Sequence, residues 1–202
     1  MLNESIESIL SFWFGETYDP IQILDSHRKL WFGKEEAIDK EINDRFSESV
    51  YRAAAGGLDF FKKEEKGSLA LIILLDQFTR NMWRGTATMY QFDPKALKYA
   101  TEVIEKEEHL NYSPIERIFL YLPFEHAEDN ELQAKSVELF TQLRDSIEDE
   151  TKRKEYDLTL DYAIKHQGVI QQFGRFPHRN PILKRESTVQ EQEYLSQPGS
   201  GF

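Results

Sequence analysis

The sequence predicts an all-α fold, and two observations lead to this prediction. Apolar residues recur with helical spacing along almost the whole chain, and no alternating segment bounded by hairpin turn residues predicts a strand. Residues 6–13 place apolar side chains at i, i+3, i+4 and i+7, and residues 38–50 place them at every fourth position, also close to the helical period. Both segments are therefore predicted to be amphipathic helices.

Capping residues mark where the next helices begin. Ser68 is the predicted N-cap of a helix that opens on an apolar run, and Asp93 is the predicted N-cap of a helix with proline at its first position. Residues 113–116, SPIE, form a capping box that also contains a proline. Three further helices are predicted from these signals.

The C-terminal part of the chain predicts three more helices. Two cover about residues 131–145 and 151–173, and Gly174 ends the second of them. Ser187 or Thr188 begins a last short helix that ends before Pro198.

The predicted helices form pairs joined by short connections. Such pairs favour stacked antiparallel helical hairpins, about 8 to 10 helices in one domain of residues 1–202. A single irregular bundle is the alternative, because no consensus repeat is present. The pairs are about 35–55 with 68–80, about 94–107 with 114–122, and about 131–147 with 151–173.

The composition excludes several classes of function. The chain has 202 residues, a net charge of −11 and no cysteine, so disulfides, thiolate nucleophiles and sulfur-ligated metals are excluded. The acidic balance disfavours nucleic acid as a partner. The longest apolar run, residues 69–75, is far shorter than a membrane span, and the N-terminal segment lacks the basic start of a secretory signal. We expect a cytoplasmic protein without a membrane partner, and a homodimer is left open.

Two windows without acidic residues contain most of the candidate binding residues. Residues 171–185 carry Arg175, Arg179 and two further cations, and residues 77–92 carry Arg80 and Arg84. Both windows also contain aromatic residues. We interpret them as one assembled site and predict that Arg80 lies within about 10 Å of Arg175 or Arg179, near enough to share an anion.

The third helix contributes a polar stripe to this hypothetical site. Asp76, Arg80 and Arg84 are spaced i, i+4, i+8, and Gln77 and Asn81 lie one residue further round the helix. The alternative is a helix end that leaves the core, with Asp76 and Arg80 as an ordinary exposed pair.

Three histidines are candidates for chemistry. Glu125 and His126 belong to a carboxylate-rich segment that could supply an acid/base or metal ligand, or only cap a helix. His166 lies on an apolar stripe, where a hydrogen-bonded core histidine is the common alternative to a ligand. His178, Arg179 and Asn180 lie in a turn stiffened by neighbouring prolines.

Common cofactor and nucleophile motifs are absent from the sequence. It contains no Gly-rich phosphate loop, GxSxG elbow, HExxH or Walker sequence. We therefore expect neither a cofactor nor a metal ion.

Several long segments of the sequence resemble the uncharacterised bacterial family DUF924. They are DQFTRNMWRGT from Asp76, ERIFLYLPFEHAED from Glu116 and HQGVIQQFGRFPHRNPILKREST from His166, and the resemblance covers nearly the whole chain. This chain has Thr79 where the family segment DQFPRN has proline. The resemblance implies an all-helical fold similar to tetratricopeptide-repeat (TPR) proteins, and it implies no activity.

Our preferred hypothesis is a binding protein whose cleft takes an anionic small molecule or a peptide carboxylate; whether it is an enzyme is left open. One alternative is a hydrolase with His126 or His178, beside Glu125, as acid/base and the arginines stabilising negative charge. A purely structural interaction module is the other alternative. We also expect the C-terminal tail to place the carboxylate of Phe202 near the basic turn. The candidate ligand-binding residues are Asp76, Gln77, Arg80, Asn81, Arg84, His166, Arg175, His178, Arg179 and Asn180.

Overall fold

The computed structural model of the chain describes residues 5–15 and 27–201. Its regular elements within these residues are α-helices and short 3₁₀ and π segments, without a strand, so the predicted all-α class is confirmed. Nine α-helices have both ends within the described residues, and residues 27–32 are also helical. The prediction for Phe202 concerns a residue outside the described ranges.

The described residues divide into two compact units. Unit 1 comprises those of Met1–Arg84 and Thr88–Pro123, and unit 2 comprises those of Gly85–Ala87 and Phe124–Phe202. A single domain over residues 1–202 stays a prediction. None of the described helices is both long enough and apolar enough to cross a membrane.

Unit 1 is built around an apolar helical segment that is interrupted by a π-helix. This central segment consists of α3, the π-helix and α4, and it packs against α2 and α5, which confirms the first predicted pair. The helices are α1 (Ile6–Phe14), α2 (Glu36–Ala54), α3 (Gly67–Ile72), the π-helix (Ile73–Phe78), α4 (Thr79–Met82), α5 (Asp93–Glu105) and α6 (Pro114–Glu125), whose last two residues belong to unit 2.

Aromatic rings fill the core of unit 1. Trp13 lies 5.5 Å, between ring centroids, from both Phe78 and Phe119, and Phe46 lies 4.7 Å from Phe78. Since all four side chains are buried, their packing holds α1, α2, α6 and the π-helix together. The central segment is so deeply buried that even the side chain of Asp76 is fully inside unit 1.

Two predicted N-caps are wrong, Ser68 by two residues and Asp93 by one. α3 begins at Gly67, not after Ser68. At position 67 the backbone passes so close to Phe61 that a Cβ atom would lie 1.8 Å from the Phe61 carbonyl oxygen, so only glycine fits at this helix start. α5 begins with Asp93 as its first residue and Phe92 as N-cap. The Asp93 carboxylate binds Arg80 instead of capping the helix.

The predicted SPIE capping box is present in altered form. The Glu116 carboxylate accepts hydrogen bonds from the backbone N–H and the hydroxyl of Ser113, each at 2.9 Å. The glutamate therefore closes the start of α6 as expected, while the serine donates to it rather than accepting from the backbone.

Unit 2 contains a long helical hairpin followed by a turn and a short helix. Its elements are α7 (Asn130–Asp145), α8 (Glu150–Phe173), a 3₁₀ turn (Pro177–Arg179) and α9 (Val189–Leu195). α7 packs along α8, which confirms the third predicted pair. Gly174 ends α8 in the left-handed conformation, with φ 69°, and Thr188 starts α9 with a complete capping box.

Candidate functional site

The predicted polar stripe of unit 1 forms an arginine–aspartate cluster, which we define as Asp39, Asp76, Arg80, Arg84 and Asp93. The Arg80 guanidinium binds the Asp93 carboxylate through two hydrogen bonds of 3.0 Å and lies 3.2 Å from Asp76 Oδ1. It also donates to the backbone carbonyl of Asp76. Burial opposes the charged form of Arg80, but the two carboxylates raise its pKa above the ordinary value. Arg80 therefore links the buried Asp76 carboxylate to the half-buried Asp93 carboxylate.

Arg84 makes an equivalent two-point contact with a different acid. Its Nε and Nη2 lie 2.7 and 2.8 Å from the Asp39 carboxylate, and the Asn81 amide donates to the same carboxylate at 2.8 Å. Burial alone would raise the pKa of Asp39, but the hydrogen bonds from Arg84 and Asn81 lower it. The Gln77 amide donates to Asp76 at 2.5 Å, so every predicted residue of the stripe belongs to this network.

The arginine–aspartate cluster corrects one interpretation of the sequence. The interval 77–92 contains no acid, yet both of its arginines are paired, because Asp39, Asp76 and Asp93 reach them from outside that interval. The pair Asp76–Arg80 is also not an ordinary exposed one, since the two side chains are 0% and 16% exposed. The cluster is a nearly complete ionic network that ties α2 and α5 to the central segment.

Unit 2 brings two of the candidate histidines against one aromatic ring, with the third nearby. We call this group the histidine–arginine cluster: His166, His178 and Arg179 contact Phe176, Glu125 contacts His166, and His126 lies near both of the other histidines. The fully buried Phe176 ring lies 5.5 Å from the His166 ring and 5.6 Å from the His178 ring, and the Arg179 guanidinium carbon stands 4.4 Å above its centre. The end of α6, α8 and the 3₁₀ turn each supply part of the group.

The His166 ring is fixed by its hydrogen bonds. Nδ1 lies 2.8 Å from the backbone carbonyl of Tyr162 and 3.2 Å from Glu125 Oε1. Because the carbonyl can only accept, Nδ1 carries the hydrogen and Nε2 is the acceptor nitrogen of the neutral ring. The side chain is therefore a hydrogen-bonded core histidine, the first of the two roles weighed from the sequence, and it also contacts a carboxylate of the cluster. Its role as a ligand stays a prediction.

Two of the histidines are uncharged at neutral pH. Burial lowers the pKa of His166 to about 3; the hydrogen bond to the Tyr162 carbonyl opposes this shift, and the Arg179 charge and any protonation of His126 or His178 add to it. Burial and the charge of Arg179 lower the pKa of His178 to about 4. The cluster therefore presents neutral imidazoles beside a permanent guanidinium charge.

The cluster has a buried floor and a half-buried opening. Glu125, His166 and Arg179 are only 4%, 5% and 7% exposed. His126 and His178 are half-buried, so they form the more accessible part of the cluster, with the Nδ1 atom of His178 on the buried side of its ring.

A second ion pair holds the Phe176 backbone. The Glu128 carboxylate accepts from the Phe176 N–H at 2.8 Å and binds Arg185 at 2.6 and 2.9 Å, while Arg185 also donates to the Phe176 carbonyl at 3.1 Å. Arg185 Nε donates to the Asn180 side chain at 2.9 Å. Asn180, a candidate ligand residue, is fully buried and belongs to this supporting frame.

Arg175 joins the same turn to the last helix. Its guanidinium contacts the Glu191 carboxylate at 2.6 and 2.8 Å, and these hydrogen bonds lower the pKa of Glu191 to about 2. Arg175 and Arg185, like the arginines of unit 1, are thus paired with acids from outside their own acid-free interval.

Three supporting residues escaped the sequence reasoning. Gln133 is fully buried, and its amide donates to the backbone carbonyls of Glu125 at 2.6 Å and Ala127 at 2.8 Å, which fixes the turn that carries His126. Phe176 is the common platform of the cluster, and Glu128 holds its backbone. Only the position of Phe176 between Arg175 and His178 could have drawn attention to it, because aromatic rings beside arginine often stack.

No metal centre marks the cluster within the residues that the structure describes. In the described ranges, no group of three or more His, Asp or Glu side chains is arranged to hold a metal ion. Two surface depressions lie at the start of α1, and neither is lined by a residue of either cluster. A ligand at the histidine–arginine cluster would therefore contact mainly the half-buried imidazoles.

Comparison with known proteins identifies the family. The model of the family described as bacterial protein of unknown function (DUF924) matches residues 9–199, so the chain belongs to this family. A solved structure of a protein of unknown function from Agrobacterium tumefaciens is 38% identical to this chain, with a TM-score of 0.78; the alignment covers 95% of this chain and 96% of that one. None of the curated proteins matches the chain.

Proposed function

We propose that this member of the DUF924 family binds a small anionic ligand, carrying a carboxylate or phosphate group, at the histidine–arginine cluster of unit 2. One observation carries the proposal: one guanidinium and two imidazoles converge on a single buried ring, Phe176. Such a group combines a permanent positive charge, N–H donors and a dry aromatic wall, which together suit anion recognition.

The state of the histidines supports the proposal. Because His166 and His178 are neutral at pH 7, neither ring repels the Arg179 charge, and the N–H of His178 can be donated to an anion, whereas that of His166 is donated to the Tyr162 carbonyl. An anion near Arg179 would also offset the positive field that helps to keep both pKa values low. The ligand and the cluster would therefore stabilise one another.

The architecture and location belong to the same proposal. Two helical hairpins, α2 with the central segment and α7 with α8, support a TPR-like stack. A cytoplasmic location agrees with a chain that lacks cysteine. That Arg80 shares the site of Arg179 stays a prediction.

Sulfate titration followed by NMR of the histidine rings tests the proposal. We expect the ring signals of His126, His166 and His178 to shift together at millimolar sulfate, with acetate and phosphate competing. Arg179→Gln should weaken binding at least about tenfold, the value of one charge-assisted contact. If Arg179→Gln unfolds the protein because Arg179 is buried, His178→Gln at the half-buried opening is the replacement variant for the same measurement.

Arg153→Gln is the matched control. Arg153 lies in the first turn of α8, about 20 Å along the helix from His166, and its guanidinium donates to the backbone carbonyls of Ile147 and Glu148. Its loss should leave sulfate affinity unchanged. If no histidine ring of the cluster responds to sulfate, or if Arg153→Gln and Arg179→Gln weaken binding equally, the proposal is wrong.

A hydrolase is the second candidate, and the contact of Glu125 with His166 favours it. A carboxylate beside an imidazole can orient the ring for acid/base chemistry. The low pKa of His166 and of His178 makes both weak bases at neutral pH, so we rank hydrolysis below binding. Turnover of p-nitrophenyl phosphate or acetate that is lost in Glu125→Gln and retained in Arg153→Gln would reverse this order.

A further inference from the structure

The proposed anion site is electrically balanced before any ligand binds. The buried acid Glu125 contacts His166, and Arg179 stands over the Phe176 ring, which His166 also contacts. On the backbone side of the same ring, Glu128 is paired with Arg185. Two carboxylates and two guanidinium groups leave no net charge, so an incoming anion brings negative charge that these four groups do not neutralise.

An imidazole can supply the missing positive charge by taking up a proton. His166 is poorly placed for this, since its ring is almost fully buried and its Nδ1 already donates to the Tyr162 carbonyl. His178 is half-buried at the opening, and it directly precedes Arg179 in the 3₁₀ turn. An anion bound to Arg179 would therefore lie beside a ring that can be protonated and still contact water.

The charged groups around His178 determine whether a bound anion favours the protonated or the neutral ring. Burial and the positive charges of Arg179 and Arg185 keep the ring neutral, and the Glu128 carboxylate opposes them. A bound anion would add a second negative charge beside the ring and shift the balance toward imidazolium. The charged or titratable groups around His178 are Arg179 in its own turn, His126 and Glu128 after α6, His166 on α8 with its partner Glu125, and Arg185 before α9.

We infer that the site binds a phosphate-like dianion together with a proton, which is taken up by His178. The inference rests on the proposed anion site and adds the class and the regulation of its ligand. A dianion such as a phosphate monoester or sulfate places more negative charge beside His178 than a monocarboxylate does, so it favours protonation of the ring more strongly. Binding is then tighter at mildly acidic pH than at neutral pH.

Sulfate is a suitable probe because its charge is constant through the pH range of the test. If one proton enters with each sulfate ion, the dissociation constant rises about tenfold for each pH unit between about pH 5 and pH 7. Isothermal titration calorimetry in two buffers of different ionisation enthalpy counts that proton directly. Acetate, a monoanion, should show a smaller pH dependence over the upper part of this range.

His178→Gln and His27→Gln form a matched pair of variants. The glutamine at position 178 cannot take up the proton, so sulfate affinity should become independent of pH, whereas His27→Gln, in unit 1, should keep the wild-type slope. In the wild-type protein, NMR of the His178 ring should show its pKa rising from about 4 toward neutral when sulfate is added. This measurement needs no variant.

The outcomes separate the two proposals. Sulfate binding without pH dependence would overturn the proton uptake and leave the anion site intact. A slope retained in His178→Gln, with an unmoved His178 pKa in the wild-type protein, would overturn the assignment to His178. If sulfate does not bind at any pH, the proposed function fails and this inference fails with it.

Discussion

Both clusters contain buried or half-buried arginines, but the surroundings of these arginines differ. In unit 1, both guanidinium groups are held in two-point contacts with aspartates, and the Asp76 side chain is completely buried beneath them. In unit 2, Arg179 stands over the Phe176 ring among histidines that are neutral at pH 7. Paired arginines would have to give up a carboxylate to bind a ligand, whereas neutral imidazoles can change their protonation to suit one.

This contrast shows why arginine-rich intervals do not by themselves indicate a binding site. Both intervals lack acids in the sequence, but the fold supplies acids to Arg80, Arg84, Arg175 and Arg185 from elsewhere. The presence of histidine and a buried aromatic ring distinguishes the cluster of unit 2. Stability measurements should therefore respond most to the arginine–aspartate cluster, and pH and ligand measurements should respond most to the histidine–arginine cluster.

The largest expected effect is the loss of stability in Arg80→Gln. This substitution leaves the fully buried Asp76 carboxylate and the Asp93 carboxylate without their shared partner. Breaking a buried ion pair from one side typically costs about 3–5 kcal/mol. Urea denaturation monitored by circular dichroism should show this loss.

Lys40→Gln is the control for this measurement. Lys40 and Asp44 form an exposed pair on α2, with 74% and 54% of their side chains accessible, so its loss should change stability by less than about 0.5 kcal/mol. A loss in Arg80→Gln as small as in this control would show that the arginine–aspartate cluster is not a structural network, and the contrast between the clusters would disappear.

Glu128→Gln should have the next largest effect, and it acts on both stability and the site. The glutamine keeps the shape but removes the charge that binds Arg185 and accepts from the Phe176 N–H. Hydrogen bonds to charged groups contribute about 2 kcal/mol, and we expect a loss of that order in urea denaturation. The His178 ring signal should also shift, because the Phe176 backbone is no longer held.

Glu138→Gln provides the comparison for this variant, because the exposed Glu138 on α7 pairs only with Lys135 and Gln142 among the contacts described. It should retain wild-type stability and an unchanged His178 signal. An equal effect of both substitutions would mean that Glu128 acts through general surface charge and not through the Phe176 backbone.

Helical periodicity predicted most of the fold because it reports burial directly. α7 and α8 begin and end within one residue of prediction, where Gly174 and the apolar stripe are strong signals. The start of α3 was wrong by two residues and that of α5 by one. Gly67 is required by the close approach of Phe61, and the Asp93 carboxylate binds Arg80. Both errors come from tertiary contacts that a local pattern does not contain.

The sequence predicted which residues belong to the candidate site, but not which of them contact one another. Glu125, His126, His166, His178 and Arg179 were all candidates. The fold places His166, His178 and Arg179 against Phe176, with Glu125 in contact with His166 and His126 nearby. The acids that pair the other arginines lie up to 57 residues away in sequence, as with Glu128 and Arg185. No local sequence pattern connects such residues. The structure was therefore needed to distinguish the arginines held in two-point contacts with acids from Arg179, which lies beside neutral histidines.

The third prediction concerns acid stability. The pKa values of His166 and His178, about 3 and about 4, lie below the value of about 6.5 for an unfolded histidine. As the pH falls below about 6.5, the unfolded chain therefore binds protons before the folded chain does. Stability is fully present above this pH and decreases toward about pH 4, by up to about 1.4 kcal/mol per pH unit for each histidine.

His178→Gln isolates one part of this dependence. Between about pH 6 and pH 5 its stability should fall less steeply than that of the wild-type protein, by up to about 1 kcal/mol per pH unit. The lowered pKa of Glu191, about 2, acts with the same sign at lower pH and does not interfere in this interval. Equal slopes for the two proteins in urea denaturation would show that the His178 ring is not held neutral by the fold.

The smallest expected effects are changes in stability on replacing two glycines near the end of α8, and these changes have opposite signs. Gly174 has φ 69° and starts the turn that carries the histidine–arginine cluster, while Gly168 lies in the helix interior. A Cβ atom meets no other atom within 4 Å at either position, so only backbone conformation decides the outcome. Gly174→Ala should cost about 1 kcal/mol because the left-handed conformation is unfavourable for alanine. Gly168→Ala should stabilise the protein by about 0.5–1 kcal/mol, because alanine is the better helix former. If both substitutions stabilise the protein equally, α8 can continue through residue 174, and the turn that places His178 and Arg179 against Phe176 is not fixed by the end of this helix.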